Sequence, residues 1–318
     1  MKQFVTAVTV LSATFAANAA CAADEKIIAV FTKNSTNPAY EAFRIAADQV
    51  ARANGAKTLH FVPQKPDNVG EQKAFVEQVI KDRPDVIIFI PVDDVAMIDS
   101  VKKINEAKIP IVLASNPLPG QFVTYIGADD YEIGYRQATY LFEKMGGKGK
   151  IVVIEGTPVA PTNRERLRGY KRAFAETPGI EVLASGVGNY QQPEAKWVMA
   201  KFLEQHPQID AVLSANDGMA LGALEALKEA NRSAIVIGIN GILPAVKQIE
   251  NGALLASVDF NMFKIGCAAT HAAVRQLKAQ PLPDKVILPA EVIDKTNYKA
   301  WLMPVEQRTC PEWAEVFK

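Results

Sequence analysis

Reactive and metal-binding chemistry is scarce in this sequence. Histidine occurs three times, as His60, His206 and His271, scattered without the spacing of a zinc site. There is no H-E-x-x-H, no G-x-S-x-G and no Walker loop. Residues 146–150 (GGKGK) superficially resemble a phosphate loop, but they precede a strand pattern instead of following one. They read as a helix stop and turn. An enzyme is therefore not expected, nor any cofactor or metal. Net charge is also absent: 35 basic and 35 acidic residues leave no footprint for nucleic acid. No apolar run reaches the ~20 residues that span a bilayer. Gly/Ser-rich linkers, low-complexity runs and short tandem repeats are missing as well.

What is present begins with a leader. Lys2 precedes a short uncharged run, 4–15, and small residues then lead to Asp24 and Glu25. This is the pattern of a secretory signal peptide, with cleavage expected after Ala22 or Ala23. Cys21 invites a lipoprotein reading, but Asn18 stands where a lipobox carries an aliphatic residue. Export to the periplasm and loss of residues 1–23 are expected. Cys267 and Cys310 then remain in an oxidising compartment. They either pair or stand apart, as a helix cysteine and a tail cysteine.

The mature chain, about 295 residues, is long enough for two ordinary domains. Its first half alternates Val/Ile-rich runs with amphipathic segments. Strands are expected at 26–32, 57–62, 85–90 and 110–114, and helices at 38–54, 68–81 and 95–107. The series restarts with strands at 150–154, 180–184, 211–214, 234–239 and 253–258. Its helices fall at 163–176, 194–205, 218–230, 243–251 and 263–279. Continuous apolar strands are buried on both faces, as in a parallel sheet covered by helices. The fold class is α/β, with two doubly wound parallel-sheet lobes facing one cleft.

Open parallel α/β sheets bind ligands beyond the carboxyl ends of their strands. The loops selected by that rule are 33–40, 115–119, 157–164, 188–192, 216–217 and 240–241. They are dense in Asn, with Tyr and Arg interspersed. Asn supplies a donor and an acceptor, as a pair of sugar hydroxyls requires. Tyr offers a flat apolar face with a polar tip, and Arg a rigid fork of donors. Any single Asn here has a simpler explanation as a turn or helix cap. Their joint occurrence at strand ends is what points to a site.

The pieces TNPAY (36–40), IPIVLASN (109–116), NRERLRGY (163–170), SANDGMALGA (214–223) and VIGING (236–241) carry a family pattern. Over roughly 26–294 the chain resembles periplasmic sugar-binding proteins of the ribose-binding type. These type I periplasmic binding proteins share their fold with lactose-repressor effector domains. A leader stands where a repressor would carry its DNA-binding headpiece.

The resemblance implies hinge closure around a small sugar or polyol and delivery to an ABC transporter permease. A chemoreceptor or sensor kinase is the alternative partner. It also implies three crossings between lobes, near 128–129, 260–261 and 289–291. The lobes would then comprise 24–128 plus 261–290, and 129–260 plus 291–318. The ligand residues implied are Lys33, Asn37, Tyr40, Ser115, Asn116, Arg164, Tyr190, Asn216, Asn240 and Phe260. Arg164 is expected at the centre, gripping ring or hydroxyl oxygens.

Departures from the pattern bear on the ligand. Ribose binders place an Asp-Arg pair at Ser115 and Asn116, an Asp at Asn240 and a polar side chain near Phe260. With two carboxylates absent and Lys33 and Arg164 present, a net positive site is expected. That implies a neutral sugar other than ribose, or an acidic sugar derivative. The tail, 295–318, holds Trp301 and Trp313 and is expected to pack on a lobe.

Overall fold

The computed structural model describes residues 25–316, so the expected leader lies outside the described residues. In the first lobe β1 (Lys26–Phe31), α1 (Pro38–Ala53), β2 (Ala56–Phe61), α2 (Val69–Asp82), β3 (Val86–Phe89), α3 (Ile98–Glu106), β4 (Ile111–Ala114) and β5 (Thr124–Gly127) follow one another. The second lobe starts with α4 (Asp130–Lys144), β6 (Gly149–Glu155), α5 (Pro161–Glu176), β7 (Ile180–Val187) and α6 (Gln192–Gln205). It continues with β8 (Ala211–Ser214), α7 (Asp217–Glu229), β9 (Ile235–Ile239), α8 (Leu243–Asn251) and β10 (Ala256–Asp259). The chain returns to the first lobe for α9 (Met262–Leu277) and β11 (Lys285–Ile287), then crosses again into β12 (Glu291–Ile293).

Each lobe is built on a six-stranded sheet, ordered β11-β5-β4-β3-β1-β2 in the first and β12-β10-β9-β8-β6-β7 in the second. Every pairing is parallel except β10 with β12. Central strands are apolar on both faces, as helices on either side require. All four residues of β3 (VIIF) are fully buried, each stabilising the fold by roughly 1.5–3 kcal/mol. A charged substitution at Ile88 would leave an unpaired charge between layers and break the sheet's centre.

Two elements, β5 and α4, interrupt the region between the expected halves. The buried face of α4 explains why its periodicity is muted, because it includes Gly134 and Gln137 beside Ile133, Ala138, Leu141 and Phe142. Gln137 Nε2 donates to the carbonyls of Ser214 (2.8 Å) and Gly238 (3.0 Å), tying α4 to the edges of β8 and β9. Gly134 lets the helix approach α5. A Cβ there would stand 2.4 Å from the Arg166 carbonyl oxygen, and one at Gly169 would stand 2.3 Å from that of Tyr131. This close packing fixes where α5 presents its side chains.

The chain passes between sheets after β5, after β10 and between β11 and β12. Cys267 and Cys310 form a disulfide, with Cα atoms 5.5 Å apart. The tail, expected wholly with the second lobe, is divided. β12 and the turn Tyr298–Trp301 lie on the second lobe, whereas Val305–Gln307 and Cys310 pack on α1 and α9 of the first.

Candidate functional site

Strand ends and helix starts from both sheets converge on one small cavity. Of the residues expected in the site, Lys33, Asn37, Tyr40, Ser115, Asn116, Tyr190, Asn216, Asn240 and Phe260 line it. Arg164 does not.

The first lobe contributes one wall. Asn37 caps α1, its side-chain oxygen accepting from Ala39 N at 3.0 Å. Asn34, from the same loop, accepts from Asn37 N and donates to Asp67 Oδ1, both at 3.0 Å. Lys33 is buried with its ammonium 3.9 Å from Asp67 Oδ1 and 5.9 Å from the Tyr190 ring centre. Burial, reinforced by Asp67, raises the Tyr40 hydroxyl well above its ordinary pKa. Ser115 adopts a left-handed φ of 57°, and its carbonyl accepts from Tyr125 Oη at 2.7 Å. Asn116 Nδ2 is committed to the Pro91 carbonyl at 3.0 Å.

The second lobe supplies the facing wall. Asn216 caps α7 through Met219 N (2.8 Å), and its amide donates to the Tyr190 carbonyl (3.2 Å). The bland role of a cap and a place in the lining coincide here. Tyr190, at φ 60°, leans its ring over Gly156, where a Cβ would stand 2.1 Å from the ring. Thr162 meets its hydroxyl at 3.0 Å, and burial pushes that hydroxyl up to about 12. Both tyrosines thus remain neutral donors at any physiological pH.

The cavity's arginine is Arg166, and this corrects the expectation for Arg164. Helix α5 starts at Pro161 instead of at 163, and residues two apart on a helix point about 200° apart around its axis. The inward residue of the pair is therefore Arg166, buried to 4% exposure. Its Nε and Nη2 lie 2.9 and 2.8 Å from Asp130 Oδ1, and Nη1 donates to the Ala215 carbonyl at 2.8 Å. Burial pushes the Asp130 carboxyl up while the guanidinium pulls it back. Burial likewise lowers Arg166, but Asp130 together with Tyr190 and Tyr170 more than offsets this and holds its pKa high. The guanidinium also lies 5.3 Å from the centre of the Phe260 ring. Arg164 instead sits at the cleft's mouth, half-exposed, bonded to the Val159 carbonyl (2.6 Å) and to Asp94 of the other lobe.

Asn240 supplies an unmatched group. Its backbone holds φ 126°, its N–H donates to Val258 O, and its buried side-chain oxygen has no partner among the described residues. The loop that carries it is fixed by Asp217. That carboxylate accepts from Ser257 Oγ (2.7 Å) and Ile242 N (3.0 Å), and burial pushes it up to about 7.

Asn34, Asp67, Thr162 and Arg166 also line the cavity without having been named as ligand residues, although Asn34 and Thr162 lie in the selected loops 33–40 and 157–164. Asp67 was detectable by the strand-end rule, since it lies in the loop after β2. With it the electrostatic expectation changes. Lys33 faces Asp67 and Arg166 is paired to Asp130, so the cavity's charges balance where a net positive site was expected.

Residues 28–281 match the model of the periplasmic binding protein domain, and the chain belongs to that family. It is similar to the ribose import binding protein RbsB of Escherichia coli, 29% identical over 299 residues, 93% of this chain and 99% of that protein. Among solved structures it resembles an ABC transporter periplasmic solute binding protein from Actinobacillus succinogenes with bound D-allose. The TM-score is 0.81 and the identity 29%, covering 87% of this chain and 100% of that one. A solute binding protein from Bacillus halodurans with bound myo-inositol matches at TM-score 0.81 and 26% identity, covering 87% and 97%.

Proposed function

We propose that this chain is a periplasmic solute-binding protein that closes on one neutral monosaccharide or cyclic polyol and delivers it to an ABC transporter permease. The observation carrying this reading is the cavity's polar inventory. Its two cations are each matched by a carboxylate, while Asn240 Oδ1 is buried without a donor. A ligand hydroxyl supplies that donor at no cost in charge. A sugar acid also offers hydroxyls, but its carboxylate would add an unbalanced charge to a desolvated site.

Tyr40, Tyr190 and Phe260 give apolar faces for the C–H side of a ring, and Arg166, Lys33 and Asn37 supply donors. Each residue's contact with ligand is part of this proposal. Closure follows because contacts from both lobes exist only in the closed form, and the ligand shifts the equilibrium by its differential affinity. The membrane permease then reads the closed outer surface. Export to the periplasm, indicated by the leader and by the family, belongs to the same reading.

A thermal-shift screen of pentoses, hexoses, inositols, linear polyols and sugar acids tests it. Ligand at about 100 times its dissociation constant stabilises a binding protein by about 2.7 kcal/mol, enough for a clear rise in melting temperature. A neutral ring compound is expected to give that rise. A response confined to sugar acids would overturn the neutral assignment.

A further inference from the structure

The chain beyond β12 belongs to neither lobe alone. It leaves the second lobe at Asp294, whose carboxylate accepts from Tyr140 Oη at 2.6 Å, and its turn Tyr298–Trp301 packs against α8. Trp301 Nε1 donates to Asp259 Oδ2 at 2.7 Å, one residue before the crossing at Phe260. The next turn, Val305–Gln307, lies against α1 of the first lobe, where Gln49 Nε2 donates to the Arg308 carbonyl at 3.0 Å. Cys310 is then bonded to Cys267 of α9. His271, also on α9, lies 3.0 Å from the Pro311 carbonyl.

Between these anchors the segment roofs a cavity of about 260 Å³ beside the hinge. Pro38 and Ala42 of α1 form one wall, and Leu243 and Pro244 of α8 the other. Asn240 lines both this cavity and the candidate ligand cavity. The two walls belong to different lobes, so a rotation that opens the cleft separates them beneath the strap. Apart from its covalent bond, the strap is held by the three-residue turn on α1, few hydrogen bonds, a partly exposed Trp313 beside Arg275 of α9 and the buried Val316 at its end. The short turn, with its few hydrogen bonds, is the least protected of these contacts and opens first.

We propose that residues 294–316 form a strap restraining cleft opening, and that the Cys267–Cys310 disulfide locks it. The thiol state then sets how far the empty protein opens. Unlocking needs an external two-electron reductant: a dithiol gives two electrons and two protons to the S–S bond and leaves as its own disulfide, and a phosphine with one water does the same and leaves as the phosphine oxide. The protein is left with two thiols. This inference rests on hinge closure but not on the ligand, so it is tested without one.

Small-angle X-ray scattering of the ligand-free full chain is compared for the oxidised protein, the phosphine-reduced protein and Cys267→Ala/Cys310→Ser. Thermal melts verify that each is folded at the measuring temperature. The account expects a larger radius of gyration in the reduced protein and the double variant than in the oxidised protein. Superimposable profiles, with only a lower melting temperature, would overturn it. Should both unlocked forms melt too low, Trp301→Phe carries the test by removing the strap's bond to Asp259 with the disulfide intact. A larger radius in that variant supports the strap, and an unchanged one overturns it. A sugar screen that finds no ligand leaves these outcomes unaffected.

Discussion

Arg166 and Asp130 meet through two nitrogens on one oxygen, Nε at 2.9 Å and Nη2 at 2.8 Å from Oδ1, both residues well removed from solvent. The pair comes from two helices, α5 and α4, that touch through Gly134 and Gly169. The remaining guanidinium nitrogen is held by the Ala215 carbonyl. Three elements of one lobe thus pre-set the direction of a single donor fork before any ligand arrives.

Arg166→Ala is expected to abolish measurable binding and to destabilise the fold by about 3–5 kcal/mol, because it leaves Asp130 buried without its counter-charge. Arg164→Ala, at the solvent-facing mouth, is expected to change stability by at most ~1 kcal/mol. Its affinity should fall no more than severalfold. Calorimetric titration and denaturant melts of both variants check this contrast.

Packing between α4 and α5 gives a second test. Gly134→Ala places a methyl against the Arg166 backbone, a clash that costs typically ~1–3 kcal/mol. It should also weaken ligand binding by tilting α5, although the substituted residue is outside the cavity. Unchanged affinity in a destabilised Gly134→Ala protein would show that the contact supports the fold alone.

Asn240→Gly removes the unmatched side-chain oxygen while relaxing a backbone held at φ 126°. Affinity is expected to drop about tenfold, the value of one hydrogen bond near 1.4 kcal/mol. Stability should not fall. Titration calorimetry beside a thermal melt separates the two.

Asp217 and Asp259, pushed by burial up to about 7 and about 6, make stability depend on pH. A carboxyl whose pKa is raised on folding binds more protons folded than unfolded between the two values. Its contribution is therefore complete below about pH 4 and is lost as pH rises through about 6 to 7. Urea unfolding from pH 5 to 8 should show this decline, at most ~1.4 kcal/mol per unit for each group. In Asp217→Asn the decline should be shallower; an identical slope would contradict the assignment.

Much of the architecture was legible because parallel strands buried on both faces leave long apolar runs, as in β3 and β6. The element α4 was illegible because its buried stripe uses Gln137 and Gly134 in place of hydrophobic residues. For the cavity, the strand-end rule found residues on loops, where position along the chain is enough. It failed for Arg166, which lies inside α5 beyond the selected loop, 157–164; Arg164 and Arg166 point about 200° apart on that helix, so only one of them faces the cavity. Asp67 was missed with its whole loop, and the charge balance was misjudged along with it. Whether Cys267 and Cys310 pair was a matter of distance that sequence does not encode.

The central claim is that the interlobe cavity holds one neutral ring compound gripped by Arg166. Native mass spectrometry of the protein in an equimolar mixture of neutral monosaccharides, inositols and sugar acids tests it most directly. The account predicts a single 1:1 adduct with a neutral compound's mass, retained in Arg164→Ala and absent in Arg166→Ala. A sugar-acid adduct, or a neutral adduct that survives loss of Arg166, would contradict it.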